Sequence, residues 1–308
     1  MRQRPGPMTL FLLASVGLIL TGCATPAVPK SGSGPISAVG AENEYANVIS
    51  LIGGRNVRAV SLMSNPAVDP HEYEASAQDA EEVARASLIV QNGVGYDGFM
   101  NDLENASPSK SRIIITVGKA LGYGSAVKNP HLWYRPGTMT KVAGLVAKDL
   151  ERLRPSEKRT FQKNLRAFDA SLRPWLATIA AIKARYSGSP VAVTEPVADD
   201  LLQAAGLRIA TPWAFQAAVM NGTDPSPQAA AAARTLLVRK SVKIFVYNRQ
   251  AVDATTQNLL AIARREHIPV VGVYETMPPH MTYPTWMQAE ARAILRALEG
   301  RGGEATLP

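Results

Sequence analysis

The sequence lacks the cysteines of a disulfide framework and the motif of an ATPase. Its 308 residues include one cysteine, Cys23, so no intramolecular disulfide can form. No P-loop phrase is present, and a step driven by ATP therefore needs a partner. The chain has no internal repeat of short period. Its N-terminal apolar run, Met8–Leu20, is too short to span a bilayer comfortably.

The N-terminus has the pattern of an export signal. Arg2 and Arg4 precede the apolar run, and the closing tetrad Leu20-Thr21-Gly22-Cys23 resembles the bacterial lipobox. In a lipobox the cysteine is lipidated and becomes the first residue of the mature protein. We therefore predict a lipoprotein signal peptide over residues 1–22, with an ordinary signal peptide and an incidental cysteine as the alternative.

A flexible tether is predicted over residues 23–35, because this stretch is rich in proline, serine and glycine. If Cys23 is lipidated, it anchors the protein to a membrane, and no thiolate remains as a metal ligand or nucleophile in the folded part. The net charge of +8 becomes +6 when residues 1–22 are removed. The basic residues are scattered along helical segments, so we expect a solvated basic face that can lie near anionic lipid, and no nucleic-acid partner.

Short β-branched runs alternate with longer amphipathic ones, which indicates an α/β fold with mostly parallel sheets. Strands are predicted at 36–39, 57–62, 86–91, 112–117, 190–194, 208–211, 242–247 and 270–274. Helices are predicted at 43–52, 77–85, 197–205, 227–238, 255–267 and 284–298. The pattern gives an N-terminal α/β lobe over residues 36–137 and a C-terminal α/β lobe over residues 187–308.

A long helical segment, residues 138–186, is predicted to connect the two lobes. Pro174 lies inside it and predicts a kink or break. Apolar residues recur there at helical spacing and form a stripe that we expect to pack in the core: Phe161, Leu165, Phe168, Leu172 and Leu176. A packed connector of this kind permits less hinge motion than a flexible crossover.

Two of the four histidines occur in the same local phrase. His71 lies in Asp69-Pro70-His71-Glu72-Tyr73, and His131 lies in Asn129-Pro130-His131-Leu132-Trp133. Proline restricts its own backbone and that of the preceding residue, so each phrase predicts a rigid loop. Two stiffly held imidazoles suggest a metal site, although each histidine alone is equally consistent with a structural role.

Four residues that can bind a metal follow predicted strands. His71 and His131 follow strands of the first half, and Glu195 and Glu275 come directly after strands of the second half. Ligands of open α/β sheets bind at the carboxyl ends of strands, so the four are candidate metal ligands. Their N and O donors suit a divalent first-row metal. A carboxylate alone can equally be a helix cap, and His280 is kept as a substitute for Glu275.

The sequence resembles the zinc and manganese solute-binding lipoproteins of bacterial ABC importers. The resemblance rests on both histidine phrases, on Gln91-Asn92-Gly93-Val94-Gly95, on Val193-Thr194-Glu195-Pro196 with Ala204-Ala205-Gly206-Leu207, and on Pro269-Val270-Val271-Gly272-Val273-Tyr274-Glu275. It extends from about Ile36 to Leu298.

The resemblance implies two lobes joined by a long helix, with one metal held in the cleft by ligands from both lobes. His71 and His131 match the two N-lobe histidines, and Glu195 matches a position occupied by His or Glu. Glu275 departs from the pattern, because the family often has Asp there. The chain also lacks the histidine-rich loop of many zinc-dedicated members. Mn²⁺ and Zn²⁺ are both expected as cargo, with Fe²⁺ also acceptable.

The expected function is capture of a divalent metal outside the cytoplasmic membrane and its delivery to an ABC permease with a cytoplasmic ATPase. The protein is expected to be a lipid-anchored monomer and not an enzyme. Two alternatives stay open at this point. One is a metal-dependent hydrolase, which needs an open coordination position for water. The other is a surface adhesin, a role that is compatible with lipid anchoring.

Overall fold

A computed structural model describes residues 1–2, 34–67, 70–124 and 127–301. Most of the predicted signal peptide, the predicted lipidation site Cys23 and most of the predicted tether lie outside these residues, as does Asp69 of the first histidine phrase. Among the helices that can be described, none is both long and apolar enough to cross a membrane.

The first half of the described chain forms a parallel sheet. Its strands are β1 (Ile36–Glu42), β2 (Val57–Met63), β3 (Leu88–Gln91) and β4 (Ile113–Thr116), in the order β2-β1-β3-β4. All three strand pairs are parallel. The accompanying helices are α1 (Asn43–Gly53), α2 (Ala77–Arg85), α3 (Phe99–Ala106) and α4 (Val117–Ala120).

The second half repeats this plan. Its strands are β5 (Pro190–Val193), β6 (Arg208–Ile209), β7 (Phe245–Asn248) and β8 (Val270–Val273), in the order β6-β5-β7-β8, again with parallel pairs. The helices that follow β5 are α8 (Asp199–Ala204), α9 (Trp213–Met220), α10 (Pro227–Val238), α11 (Ala254–Arg265) and α12 (Tyr283–Leu298). Strands β7 and β8 are buried along their whole length, as expected for a parallel sheet covered on both faces.

Three helices connect the sheets: α5 (Thr138–Leu153), α6 (Lys158–Ser171) and α7 (Arg173–Tyr186). The predicted α/β class with two parallel sheets and a helical connection is therefore confirmed. The lobe boundaries at residues 137 and 186 stay predictions. The predicted break falls at Leu172, because Pro174 is accommodated in the first turn of α7, where a missing N–H costs nothing.

The predicted apolar stripe is correct as far as Leu172 and wrong at Leu176. Phe161, Phe168 and Leu172 are buried, whereas the side chain of Leu176 is among the exposed large hydrophobics. Since a new helix begins at Arg173, the helical phase of α6 does not continue, and α7 buries a different set of residues: Trp175, Ile179 and Ile182.

The second half is tied to the first by hydrogen bonds that hold the segment after β8. The side chain of Asn43, at the start of α1, donates to the carbonyl of Met277 at 2.8 Å and accepts from its N–H at 2.9 Å. Tyr283, at the start of α12, donates its hydroxyl to the carbonyl of Trp133 at 2.6 Å. Helix α12 also contacts α1, α7 and β8. These contacts fix the strand end of β8 against the first lobe.

Candidate metal centre

His71, His131 and Glu275 come together between the two sheets. One ligand atom from each lies within 4.8 Å of the other two. The Oε2 atom of Glu275 is 3.1 Å from Nε2 of His131 and 3.6 Å from Nε2 of His71. The histidines come from the first half of the chain and the carboxylate from the second, so this centre joins the two halves.

His71 is the accessible member of the centre. It lies in the short 3₁₀ turn Pro70–Glu72, which follows β2, and the N–H of Tyr73 donates to the carbonyl of Pro70 at 3.2 Å. The Tyr73 hydroxyl in turn donates to Asp79 in the first turn of α2 at 2.9 Å. The His71 side chain is 26% exposed, whereas those of His131 and Glu275 are fully buried. Solvent therefore reaches the centre from the side of His71.

His131 is oriented by the amide of Asn129. The Oδ1 atom of Asn129 accepts from the backbone N–H of His131 at 3.1 Å and lies 2.7 Å from its ring Nδ1. The carbonyl of Pro130 accepts from the side chain of Asn92 at 2.9 Å, which fixes the loop from the other side. With Nδ1–H donating to Asn129, the neutral imidazole presents its lone pair at Nε2, toward Glu275.

Glu275 is held by three side chains besides the histidines, those of Tyr96, Asn248 and Gln250. Its Oε2 accepts from the hydroxyl of Tyr96 at 2.8 Å, and its Oε1 accepts from the side chain of Asn248 at 2.5 Å. The oxygen Oε1 of Gln250 accepts from the backbone N–H groups of Glu275 and Thr276 at 2.8 and 2.9 Å. Such support fixes the direction in which the carboxylate points.

The electrostatics of the centre favour an ionised carboxylate. Burial works to raise the pKa of Glu275, but the charges of His131 and His71 and the hydrogen bonds from His131 and Tyr96 outweigh it and lower the pKa. Burial and the charge of Glu275 raise the pKa of Tyr96 well above its usual value, so Tyr96 stays a neutral donor.

The loop that carries Tyr96 is fixed by Asp97. This carboxylate accepts from the N–H groups of Asn92 at 2.6 Å and Gly93 at 2.8 Å. Gly93 has φ +74°, a left-handed conformation, and a Cβ there would lie 2.6 Å from Cγ2 of Thr116. Glycine is needed at this position for both reasons. The turn brings the ring of Tyr96 to 5.4 Å from that of His71 and 5.6 Å from that of His131.

The geometry suits a bound cation. When His131 is neutral, the lone pair at its Nε2 faces the negative Oε2 of Glu275 at 3.1 Å, and His71 presents Nε2 to the same oxygen. Two acceptors at this distance repel each other unless a proton or a metal ion lies between them. The centre can therefore bind a proton or a divalent metal that accepts imidazole and carboxylate ligands.

The other predicted site residues lie outside this three-residue cluster. Glu195 is buried, with 3% exposure, and follows β5, but its carboxylate is not among the atoms grouped within 4.8 Å. His280 is exposed in a left-handed conformation with φ +64°. Of the two residues considered for this position, the structure brings Glu275 to the histidines and leaves His280 at the surface.

Sequence reasoning missed the groups that support the cluster. Asn248 is the last residue of β7, so the strand-end rule that selected Glu275 would also have selected it. Tyr96 directly follows Gly93-Val94-Gly95, a phrase that the sequence analysis had already noted. Asn129 precedes Pro130 in the second histidine phrase, where an asparagine typically accepts a local backbone hydrogen bond.

An open cleft of about 530 Å³ lies next to the centre. Loops of both halves line it, including Glu72 from the first and Gln250 from the second, and Gln250 also holds Glu275. Asp224 and Asp253 line it as well. Three carboxylates around one cleft favour the approach of a cation over that of an anion.

Fold and site together define a class of protein: two parallel α/β lobes with a histidine–carboxylate centre between them. Two solved structures share this fold. The SBP FpvC from Pseudomonas aeruginosa, in complex with Mn²⁺, has a TM-score of 0.71 and 20% identity, covering 87% of this chain and 100% of that one. The Mn-bound periplasmic metal binding protein from Candidatus Liberibacter asiaticus has a TM-score of 0.68 and 18% identity, covering 85% of this chain and 98% of that one.

The chain belongs to the ZnuA family, described as zinc-uptake complex component A, periplasmic, and matches it over residues 40–297. Relatives include the manganese-binding lipoprotein MntA of Bacillus subtilis, 26% identical over 56% of this chain and 57% of that protein. The iron ABC transporter substrate-binding lipoprotein MtsA of Streptococcus pyogenes is 26% identical over 54% of this chain and 57% of that protein. The matched regions thus span somewhat over half of these relatives.

Proposed function

We propose that this protein captures a divalent transition metal in the cleft between its lobes and delivers it to an ABC permease. The observation that carries the proposal is the convergence of His71, His131 and Glu275, with their ligand atoms within 4.8 Å. Membership of an uptake family supports the same function and agrees with the expectation that the protein is not an enzyme.

The proposed ligands are His71, His131 and Glu275, with Glu195 as the fourth. Glu195 is included because it is buried at a strand end of the second lobe and because the family resemblance assigns a ligand there. The cargo is Mn²⁺ or Zn²⁺, with Fe²⁺ also compatible with imidazole and carboxylate donors. The names of the relatives include both manganese and iron, so they support the class of cargo and do not select one ion.

The proposed setting is extracytoplasmic. The lipobox-like tetrad ending at Cys23 and the lipoprotein names of the relatives support a lipid anchor on a bacterial membrane. The permease would take its energy from a cytoplasmic ATPase, since this chain has no P-loop. The mature protein acts as a monomer in this proposal, because one chain supplies all the proposed ligands.

The experiment is calorimetric titration of the metal-free mature protein with Mn²⁺ and Zn²⁺. We expect one ion per chain. His71→Ala and His131→Ala should each weaken binding by more than about 100-fold, since loss of a ligand exceeds the 10–100-fold typical of outer-shell changes. His267→Ala and His280→Ala are matched controls, because both histidines lie outside the cluster. Full affinity in both His71→Ala and His131→Ala would overturn the proposal. Elemental analysis of the purified protein identifies the ion that it carries.

A further inference from the structure

Glu290 is a fully buried carboxyl group on α12 that the proposed metal centre does not use. Its Oε1 accepts from the indole N–H of Trp286 at 2.7 Å and from the backbone N–H of Tyr274 at 3.2 Å. Its Oε2 lies 2.5 Å from the hydroxyl of Tyr134. One side chain therefore holds two separate segments of the chain.

These two segments carry the proposed ligands. Tyr134 ends the short 3₁₀ turn Leu132–Tyr134, which directly follows His131. Tyr274 directly precedes Glu275. The hydroxyl of Tyr134 also lies 2.6 Å from the carbonyl oxygen of Tyr274, which closes a small network around Glu290. The network therefore joins the segment that follows His131 to the segment that precedes Glu275.

If Glu290 were ionised, the network would have too few hydrogen atoms for its short oxygen–oxygen contacts. The two short oxygen–oxygen contacts of Tyr134, at 2.6 and 2.5 Å, each need a hydrogen atom between the oxygens. A tyrosine hydroxyl has one hydrogen. The carbonyl of Tyr274 can only accept, so the hydroxyl donates to it. The second hydrogen must then come from Glu290, donated from Oε2 to the hydroxyl oxygen.

We propose that Glu290 is a neutral carboxylic acid that positions the two ligand-bearing segments through Tyr134 and Tyr274. As the neutral acid, it accepts two N–H groups at Oε1 and donates at Oε2, which satisfies every contact in the network. The positioning role rests on the proposed metal-binding function, whereas the protonation state is independent of it.

The surroundings of Glu290 agree with this assignment. Burial raises the pKa of Glu290 to about 8, and its contacts with Tyr134, Trp286 and the backbone N–H of Tyr274 offset this only in part. The titratable groups that face it are the phenols of Tyr134 and Tyr283, whose pKa values are themselves raised, chiefly by burial. None of these groups supplies a positive charge to stabilise an ionised Glu290.

Protonation is tested by urea unfolding of the metal-free protein between pH 5.5 and 7.5, with Glu290→Gln as the comparison. A raised pKa in the folded state contributes stability that is lost as pH rises from the ordinary value toward about 8. Folding of the wild type therefore takes up one proton more than folding of the variant. The ratio of their unfolding constants should change about tenfold per pH unit, and a ratio that does not vary with pH would overturn the neutral acid.

Positioning is tested by Mn²⁺ affinity. Glu290→Gln can still accept and donate at the same places, so it should bind within about threefold of the wild type, whereas Glu290→Leu and Tyr134→Phe should bind at least tenfold more weakly. Wild-type affinity in both of these variants, or equal weakness of the Gln and Leu variants, would overturn positioning. Tyr134→Phe decides the matter if Glu290→Leu does not fold. If the wild type binds no metal, both the proposed function and the positioning role are wrong. The pH dependence of unfolding would still test whether Glu290 is protonated.

Discussion

Replacing Asn129 by alanine should weaken metal binding although Asn129 is not a proposed ligand. Its Oδ1 accepts from the backbone N–H and the ring Nδ1 of His131, at 3.1 and 2.7 Å. Each bond has a net value of about 0.5–1.5 kcal/mol, so about 1–3 kcal/mol is at stake. This agrees with the 10–100-fold loss of affinity, about 1.4–2.7 kcal/mol, that removal of a histidine's outer partner typically causes.

The assay is competition for Mn²⁺ against a fluorescent chelator at fixed pH. Asn65→Ala is the matched control, since Asn65 also precedes a proline and accepts a backbone N–H, that of Ala67, at 3.0 Å. Asn129→Asp should bind far better than Asn129→Ala, because it keeps an oxygen acceptor at the position of Oδ1. Binding by Asn129→Ala within twofold of the wild type would refute the idea that this amide fixes the imidazole.

Two further predictions concern stability. Gly93→Ala should lower the free energy of unfolding more than Gly95→Ala; both have left-handed φ values, worth about 1–2 kcal/mol, but only at position 93 would a Cβ meet another atom, Cγ2 of Thr116 at 2.6 Å. Equal losses in chemical denaturation would refute the steric part. The pair of hydrogen bonds from Arg58 lowers the pKa of Glu82 to about 2. The ionised Glu82 therefore contributes stability that is complete above its ordinary pKa of about 4.5 and is lost as pH falls toward 2. The difference in melting temperature between the wild type and Glu82→Gln should shrink over this pH range. A difference that acid leaves unchanged would contradict the prediction.

The sequence predicted the layout of the fold because buried parallel strands have a strong local signature. The runs that became β7 and β8 are buried at every position and, apart from Asn248 at the end of β7, carry no charged or amide side chain, which few other environments allow. Helices α3 and α9 were missed. Helix α3 (Phe99–Ala106) is preceded by Gly98, which has no side chain to cap it, so its start lacks a clear sequence signal. Helix α9 is apolar on most sides and therefore has no narrow apolar face.

The candidate site was predicted in part, and the limit has a physical cause. The strand-end rule finds residues such as His131 and Glu275, because parallel strands place their carboxyl ends at one edge. It says nothing about which side chains then reach each other across the two sheets. Glu195 passes the same rule as Glu275, yet the structure groups only Glu275 with the histidines. The orienting role of Asn129 likewise depends on a local bond that the phrase suggests but does not specify.

The two lobes are held together by contacts that do not involve the proposed ligands. Asn43 binds the backbone of Met277, and Tyr283 binds the carbonyl of Trp133. The side chain of Arg135, in the first lobe, forms two hydrogen bonds to Asp200 of α8, at 3.0 and 3.1 Å. Protein packing therefore contributes to the distance between the histidines and Glu275. A cation bound there has to fit this spacing, so the bond lengths and ligand geometry that each ion requires contribute to discrimination between ions.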